Sequence, residues 1–289
     1  MAMLFGLNVA PSAAPGADPV ASARNAEDLG FDFVSVNDHL HGTLARHETW
    51  TLLTWIAAST SGIRVASRVL AVPYRHPAVL AKMAETLDRL SGGRLILGMG
   101  GGYSDEEFRA FGLGERSPRD KVDGLDEAIR IARGLWSETG FTFQGRLYRT
   151  EAAEIEPKPD RRIPIWLGTY GPRALALTGR LADGWIPTLE LAPPERVPAM
   201  RDRVLGAARE AGREPDEITC VYNLDVRVDE RADVPPSVVA GLPEAMAERL
   251  IGFAKLGFTA VNFCPVGPGQ DEQAQRLAGE VIPEVRAGV

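Results

Sequence analysis

Asp38-His39 sets a carboxylate beside an imidazole at the end of a mostly apolar run, FDFVSVN. Such a carboxylate can hold the ring in one tautomer and tune its pKa toward neutrality. His39 could then donate or accept a proton, or simply hydrogen-bond a ligand; the bland alternative is a loop dipeptide that caps a turn. Arg68 interrupts a second apolar run, within ASRVLAVPYRHP. A charge inside a strand needs a partner, so Arg68 either points outward between helices or reaches a ligand. Arg75 and His76, just before Pro77, read as anchors of their loop. Two glycine-rich turns complete the set. RLILGMGGGYSDEEF passes from an apolar strand into Gly98, Gly100, Gly101 and Gly102, then Tyr103. Ser104 follows as a helix N-cap, with Glu107 at the capping-box position. Gly168-Thr169-Tyr170-Gly171-Pro172 likewise leads from a strand into a helix that starts on proline. Free N–H groups at such a start bind phosphate well, and bare backbone can lie against a flat or anionic ligand.

These residues need elements to bring them together, and the chain supplies a regular alternation. Leu4–Val9, Phe31–Val36, Arg64–Val72, Leu95–Gly98, Pro164–Gly168, Trp185–Thr188, Ile218–Val228 and Thr259–Cys264 read as strands. Asp18–Leu29, Glu48–Ser59, Pro77–Leu90, Arg119–Ser137, Pro172–Leu181, Pro194–Ala211, Pro243–Leu256 and Gln270–Val285 read as helices. Eight strand–helix pairs in one 289-residue chain predict an α/β fold, a single closed (β/α)8 TIM barrel over 1–289, against an open doubly wound sheet as the rival. The rhythm breaks at Phe141–Glu156, where alternation around Gln144-Gly145 predicts a hairpin inserted after strand four. The tract 229–243 reads as a loop beside the barrel mouth, not a domain boundary. In a barrel, chemistry sits at the C-terminal ends of the strands, where Asn8, Asp38-His39, Ala71-Val72, Gly100–Tyr103 and Gly168–Gly171 all fall.

Composition narrows the partners. Net charge is −7 with no basic block, which disfavours nucleic acid and anionic membranes. No apolar run approaches the roughly 18–20 residues that span a bilayer, and the N-terminus reads as a strand, not a leader. Cys220 and Cys264 are far apart, which fits a reducing cytoplasm without disulfides. His39, His41, His47 and His76 show no zinc spacing, so no metal is expected. Trp50, Tyr103 and Tyr222 are candidate walls of a substrate pocket, with packing the favoured alternative for each.

Four stretches together resemble the bacterial luciferase-like superfamily, and within it the coenzyme F420-dependent (deazaflavin) oxidoreductases. They are GFDFVSVNDHL, VLAVPYRHPAVLAKMAETLDRLSGGRLILGMGGGYSDEEF, FQGRLYR and IEPKPDRRIPIWLGTYGPRALALTGRLADGWIPT. The resemblance implies a barrel with an insertion after strand four and a tricyclic ring lying in its mouth. It puts His39, paired with Asp38, near the reacting edge of that ring. It places a bulge of strand three, often with a non-proline cis peptide, at Arg68-Val69 behind the ring, although many relatives carry glycine or serine where this chain has Arg68. Ala71 stands where a small residue contacts the ring, Gly100, Gly101 and Gly102 run beside the coenzyme's side chain, and Gly168, Thr169, Tyr170 and Gly171 form its phosphate corner. Tyr103 takes a position that is acidic in some sugar-phosphate dehydrogenases, so that proton-donor role does not carry over. Relatives dimerise, which implies a homodimer.

The resulting expectation is an F420-dependent oxidoreductase moving a hydride to or from a small organic substrate. Deazaflavin has carbon where flavin has its reactive nitrogen, so it transfers hydride and reacts poorly with oxygen. The alternatives are an FMN-dependent monooxygenase served by a separate reductase and a flavin-binding carrier without turnover.

Overall fold

The computed structural model describes residues 3–230 and 234–289. Its strands are β1 (Leu4–Asn8), β2 (Phe33–Val36), β3 (Arg64–Ser67), β4 (Leu70–Ala71), β5 (Leu95–Gly100), β6 (Phe141–Gln144), β7 (Arg149–Ala153), β8 (Ile165–Leu167), β9 (Gly184–Trp185), β10 (Thr219–Val228), β11 (Val238–Gly241) and β12 (Ala260–Pro265). All but the β6–β7 pair are parallel. The order β10-β12-β1-β2-β3-β5-β8-β9 closes on itself because β9 also pairs with β10. That is the eight-stranded barrel expected from the alternation, with no open edge to protect.

Helices cover the outside: α1 (Pro19–Asp28), α2 (Thr49–Ser59), α3 (Pro77–Leu90), α4 (Asp105–Ala110), α5 (Pro118–Ser137), α6 (Pro172–Leu181), α7 (Val197–Glu210), α8 (Pro243–Lys255), α9 (Gln270–Arg276) and α10 (Ile282–Gly288). Their starts are written locally. The Asp18 carboxylate accepts from the N–H groups of Val20 and Ala21, Glu48 accepts from Trp50 and Thr51, and Ser117 with Asp120 forms a reciprocal capping box.

The bore is filled in layers, because alternate residues of each strand face inward. The lower layer is apolar: Phe33, Ala66, Ile96, Trp166, Val221 and Ala260 form one cluster, distinct from the larger core between strands and helices. Phe33 and Trp166 meet edge to face at 5.3 Å. Their bulk is offset by two glycines. A Cβ on Gly6 would lie 2.2 Å from the Phe33 ring, and one on Gly184 would lie 2.3 Å from Trp166. One step up each strand the layer turns polar, with Ser35, Asn223 and Asn262 buried inside.

Besides shifts of one to three residues at several ends, four features differ from the sequence reading. The third strand is not continuous over 64–72: it breaks between β3 and β4, where the Arg68–Val69 peptide is cis. The sixth strand is Gly184–Trp185, and Thr188 makes only an isolated bridge to Asn223. The last helix is interrupted by a π turn at Leu277–Val281 ahead of Pro283. The 229–243 tract contributes β11, which extends the rim beside Asp225–Val228; residues 231–233 of that tract lie outside the described residues.

The β6–β7 hairpin is the expected insertion, with a turn wider than Gln144-Gly145. Glu127 of α5 holds that turn by accepting from the N–H groups of Arg146 (2.8 Å), Leu147 (2.9 Å) and Tyr148 (2.8 Å).

Candidate active site

The segment after β2 carries Asp38 and His39, and the two diverge. Asp38 is buried, and it does not bond His39. Its Oδ2 accepts from the Ala71 N–H (3.0 Å) and from Arg75 Nη1 (2.9 Å), and its Oδ1 accepts from Arg75 Nη2 (3.1 Å). Arg75 also bonds the α2 cap Glu48. Burial works against the charge on Arg75, and the Asp38 and Glu48 carboxylates more than offset it, so its pKa rises. Asp38 and Arg75 therefore lock the β2 loop to the β4 loop, a charge-assisted bidentate tie.

The partner of His39 is Glu107. The Ser104 hydroxyl caps α4 at the Glu107 N–H (3.2 Å), as the sequence suggested, but the Glu107 carboxylate does not reach back to complete a capping box. It turns to the β2 loop instead. His39 Nδ1 lies 2.9 Å from Glu107 Oε1, and Tyr74 donates its hydroxyl to Oε2. Burial opposes charge on Glu107, yet the bonds from Tyr74, His39 and the Leu40 backbone hold its pKa below the usual value. Burial and the Glu107 carboxylate together keep the Tyr74 phenol protonated. An ionised carboxylate only accepts, so Nδ1 must carry the ring proton. Nε2 is left as the ring's open nitrogen, on a side chain that is 40% exposed.

Beside His39 the bulge between β3 and β4 shapes the rim. A Cβ on Gly100 would lie 2.8 Å from a γ carbon of Val69, and Cβ atoms on Gly98 and Gly168 would crowd the same side chain at 3.2 and 3.3 Å, with Ser67 O still closer to Gly98 at 1.8 Å. A Cβ on Gly101 would lie 2.9 Å from Lys121, and one on Gly102 would lie 2.2 Å from Phe108. These glycines thus have an internal reason: they admit Val69, α5 and α4. Gly171 is different. Nothing lies within 4 Å of the Cβ it lacks, and the N-terminus of α6 has no side-chain cap. Its first N–H groups are open to an anion, and the residues fit a phosphate-bearing cofactor there.

The other nominated residues divide. Thr169 is buried, shares a 2.7 Å hydrogen bond with Thr178, and receives the Trp185 indole N–H at its carbonyl. Tyr170 meets Thr188 through its hydroxyl, joining the loops after β8 and β9. Ala71 is buried beneath Asp38. Trp50 is buried in the core between strands and helices, so it is packing and not a pocket wall. Tyr222 is fully buried against Phe253 and Phe258 and is packing too. Tyr103 stands 83% exposed at the rim. Sequence reasoning missed Tyr74, the turn of Glu107 toward His39, and the polar layer in the bore. The signal for that layer was present: Ser35, Asn223 and Asn262 each interrupt an apolar strand.

A cavity of about 1350 Å³ lies at the opposite, N-terminal end of the barrel. Its charged lining converges on Asp183, which takes Arg133 and Arg162 and the Ile165 N–H. It contains none of the nominated residues, and its ties bind the floor of the barrel. Among the described residues no group of three or more His, Cys, Asp or Glu is placed to hold a metal ion, and no helix is long and apolar enough to cross a membrane.

Comparison with known proteins agrees with this architecture. A model of the family described as luciferase-like monooxygenase matches residues 2–235. F420-dependent glucose-6-phosphate dehydrogenase of Nakamurella multipartita is 35% identical over 71% of the chain, a match that spans 61% of that protein. The enzyme of the same name from Kineococcus radiotolerans is 27% identical over 91% of each chain. An F420-dependent secondary alcohol dehydrogenase, solved with an F420-acetone adduct, superposes with a TM-score of 0.88 over 99% of both chains at 21% identity, a likeness of fold.

Proposed function

The chain belongs to the luciferase-like monooxygenase family, and from that premise we propose that it is a coenzyme F420-dependent oxidoreductase moving a hydride to or from a small organic substrate. The observation that carries this reading is His39, whose Nδ1 is held by an ionised Glu107 so that Nε2 stays open at the rim. The similarity to enzymes named for F420 supports the choice of coenzyme.

The open start of α6 at Gly171 would take the anionic tail, and Ala71 with the Arg68-Val69 bulge would back the ring. Gly100, Gly101, Gly102 and Gly168 shape that bed by letting Val69, Lys121 and Phe108 close in. When bound, the deazaflavin supplies a two-electron donor or acceptor of hydride. His39 takes or gives the accompanying proton at Nε2. Glu107 fixes the tautomer that makes this possible, and Asp38 with Arg75 fixes the loop on which His39 stands. Tyr103 is available as a wall of the substrate pocket. A homodimer in a reducing cytoplasm is part of the same proposal, the latter because Cys220 and Cys264 are free thiols.

The test is a titration of the purified protein with coenzyme F420 and with FMN, followed by absorbance. Micromolar F420 binding is expected. Micromolar FMN binding with no detectable F420 binding would overturn the proposal in favour of a monooxygenase served by a separate reductase.

A further inference from the structure

Arg68 leaves the bulge after β3 and crosses the mouth toward β1, β10 and β12. Its Nε donates to Asn8 Oδ1 at 3.0 Å. Asn8 in turn meets the Ser35 hydroxyl, which donates to Asn262 Oδ1 (3.0 Å), while Asn262 Nδ2 donates to Asn223 Oδ1 (2.8 Å). The layer beneath the guanidinium is therefore neutral, and its polar atoms serve one another. Among the described residues no carboxylate comes within ion-pair distance of Arg68, and no acceptor meets its two terminal nitrogens. Arg75, the other arginine of this rim, is by contrast fully paired. Asp225, at the β10 side of the mouth, feels the charge of Arg68 without bonding it. Asp225 is exposed; desolvation and Glu190 raise its pKa while Arg68 lowers it, and it makes no ion pair with Arg68. A half-buried guanidinium with one edge fixed and its fork unmatched fits a bidentate carboxylate.

Position separates this group from the coenzyme's tail. Gly171 lies after β8, whereas Arg68 reaches Asn8 on β1 and acts on Asp225 of β10 and Cys264 of β12, on the other side of the mouth. We propose that the Arg68 side chain receives the carboxylate of the substrate, so that the enzyme acts on small organic acids. The inference rests on the proposed oxidoreductase reading, which it deepens by naming the substrate class.

The experiment is a calorimetric titration of the full-length protein, free and loaded with coenzyme F420. The probes are a series of two- to four-carbon 2-oxo and 2-hydroxy acids, each beside its methyl ester. The acid is expected to bind at least about tenfold more tightly than its ester. Arg68→Gln and Arg68→Met should abolish that preference, and Arg68→Lys should retain part of it. Circular dichroism checks that the variants are folded. The proposal is overturned if acid and ester bind alike, if neither binds, or if Arg68→Gln keeps the preference. It also falls if the variants lose coenzyme affinity with the acid preference intact, since Arg68 would then serve the coenzyme. Should F420 fail to bind while the Arg68-dependent preference for acids persists, the coenzyme assignment fails and the acid site stands.

Discussion

At the scale of single residues, the chemistry depends on which group faces His39. In the proposed reaction Glu107 would be a positioning residue, acting through the imidazole. In Glu107→Gln the amide can turn its NH2 toward Nδ1 and favour the tautomer with the proton on Nε2. We expect kcat/KM to fall by about 10²-fold or more, with a shifted pH profile and an unchanged coenzyme Kd, as the loss of an orienting carboxylate would predict. Glu107→Ala should in addition cost about 1–3 kcal/mol of stability, read by urea unfolding, because it strips the partner from the Tyr74 hydroxyl. Glu107 also marks the acid limit of the fold. Its folded pKa lies below the ordinary 4.5. The stability it contributes is complete above that ordinary value and is lost as pH falls through the lower, folded one. Glu27, Glu48 and Glu85 are shifted the same way: burial opposes their charge and hydrogen bonds outweigh it. The urea midpoint should thus hold steady from about pH 7 to pH 5.5 and drop below about 4.5, less steeply in Glu107→Gln.

At the scale of elements, two glycines that look alike in sequence have opposite duties. Gly98, on β5, has Ser67 O where its Cβ would stand, at 1.8 Å. Gly98→Ala must push β3 and β5 apart, and we expect a loss of about 3 kcal/mol or more in unfolding free energy. Gly171 has open space around it and φ of −76°, which any residue adopts. Gly171→Ala should leave stability within about 1 kcal/mol and instead weaken coenzyme binding, because the methyl group would stand where the proposal puts the anionic tail, at the start of α6. This pair also shows what sequence can and cannot say. Periodicity and caps act within a few residues, so α3 was legible to its last residue, and Asp18 and Glu48, read as the starts of α1 and α2, are their N-caps. The glycine stretch was legible as a special turn at the rim. The collisions that demand glycine come from Ser67, Val69, Lys121 and Phe108, and only the fold reveals them. The same limit hid the role of Glu107. An acid three residues after a serine reads as a capping box, and nothing local reports that His39 and Tyr74 compete for the carboxylate.

For the whole molecule, a closed barrel has two ends, and here their charges are spent differently. The rim keeps unfinished valences: His39 Nε2, the fork of Arg68, and the N–H groups at Gly171. The floor finishes nearly all of its own, although the buried Arg133 Nε has no hydrogen-bond partner. Asp183 draws in Arg133 and Arg162, accepts the Ile165 N–H, and has Arg213 at 4.0 Å, so one carboxylate joins α5, β8 and the start of β9. Burial lowers the pKa of Arg133, and Asp183 offsets that in part, while Arg162 and Arg213 add to it. Removing the carboxylate would leave three like charges facing one another at the end of the barrel away from the proposed site. Asp183→Asn should therefore lower stability by about 3 kcal/mol or more, the range for breaking a largely buried pair, with kcat/KM and coenzyme Kd per folded molecule unchanged. His39→Asn should do the reverse, sparing the unfolding midpoint while turnover drops by about 10²–10⁴-fold. Measured side by side on one preparation, the two variants test whether stability and catalysis are divided between the ends. A fall in turnover per folded molecule in Asp183→Asn matching that of His39→Asn would mean that the floor is coupled to the rim through the packed bore of Phe33 and Trp166.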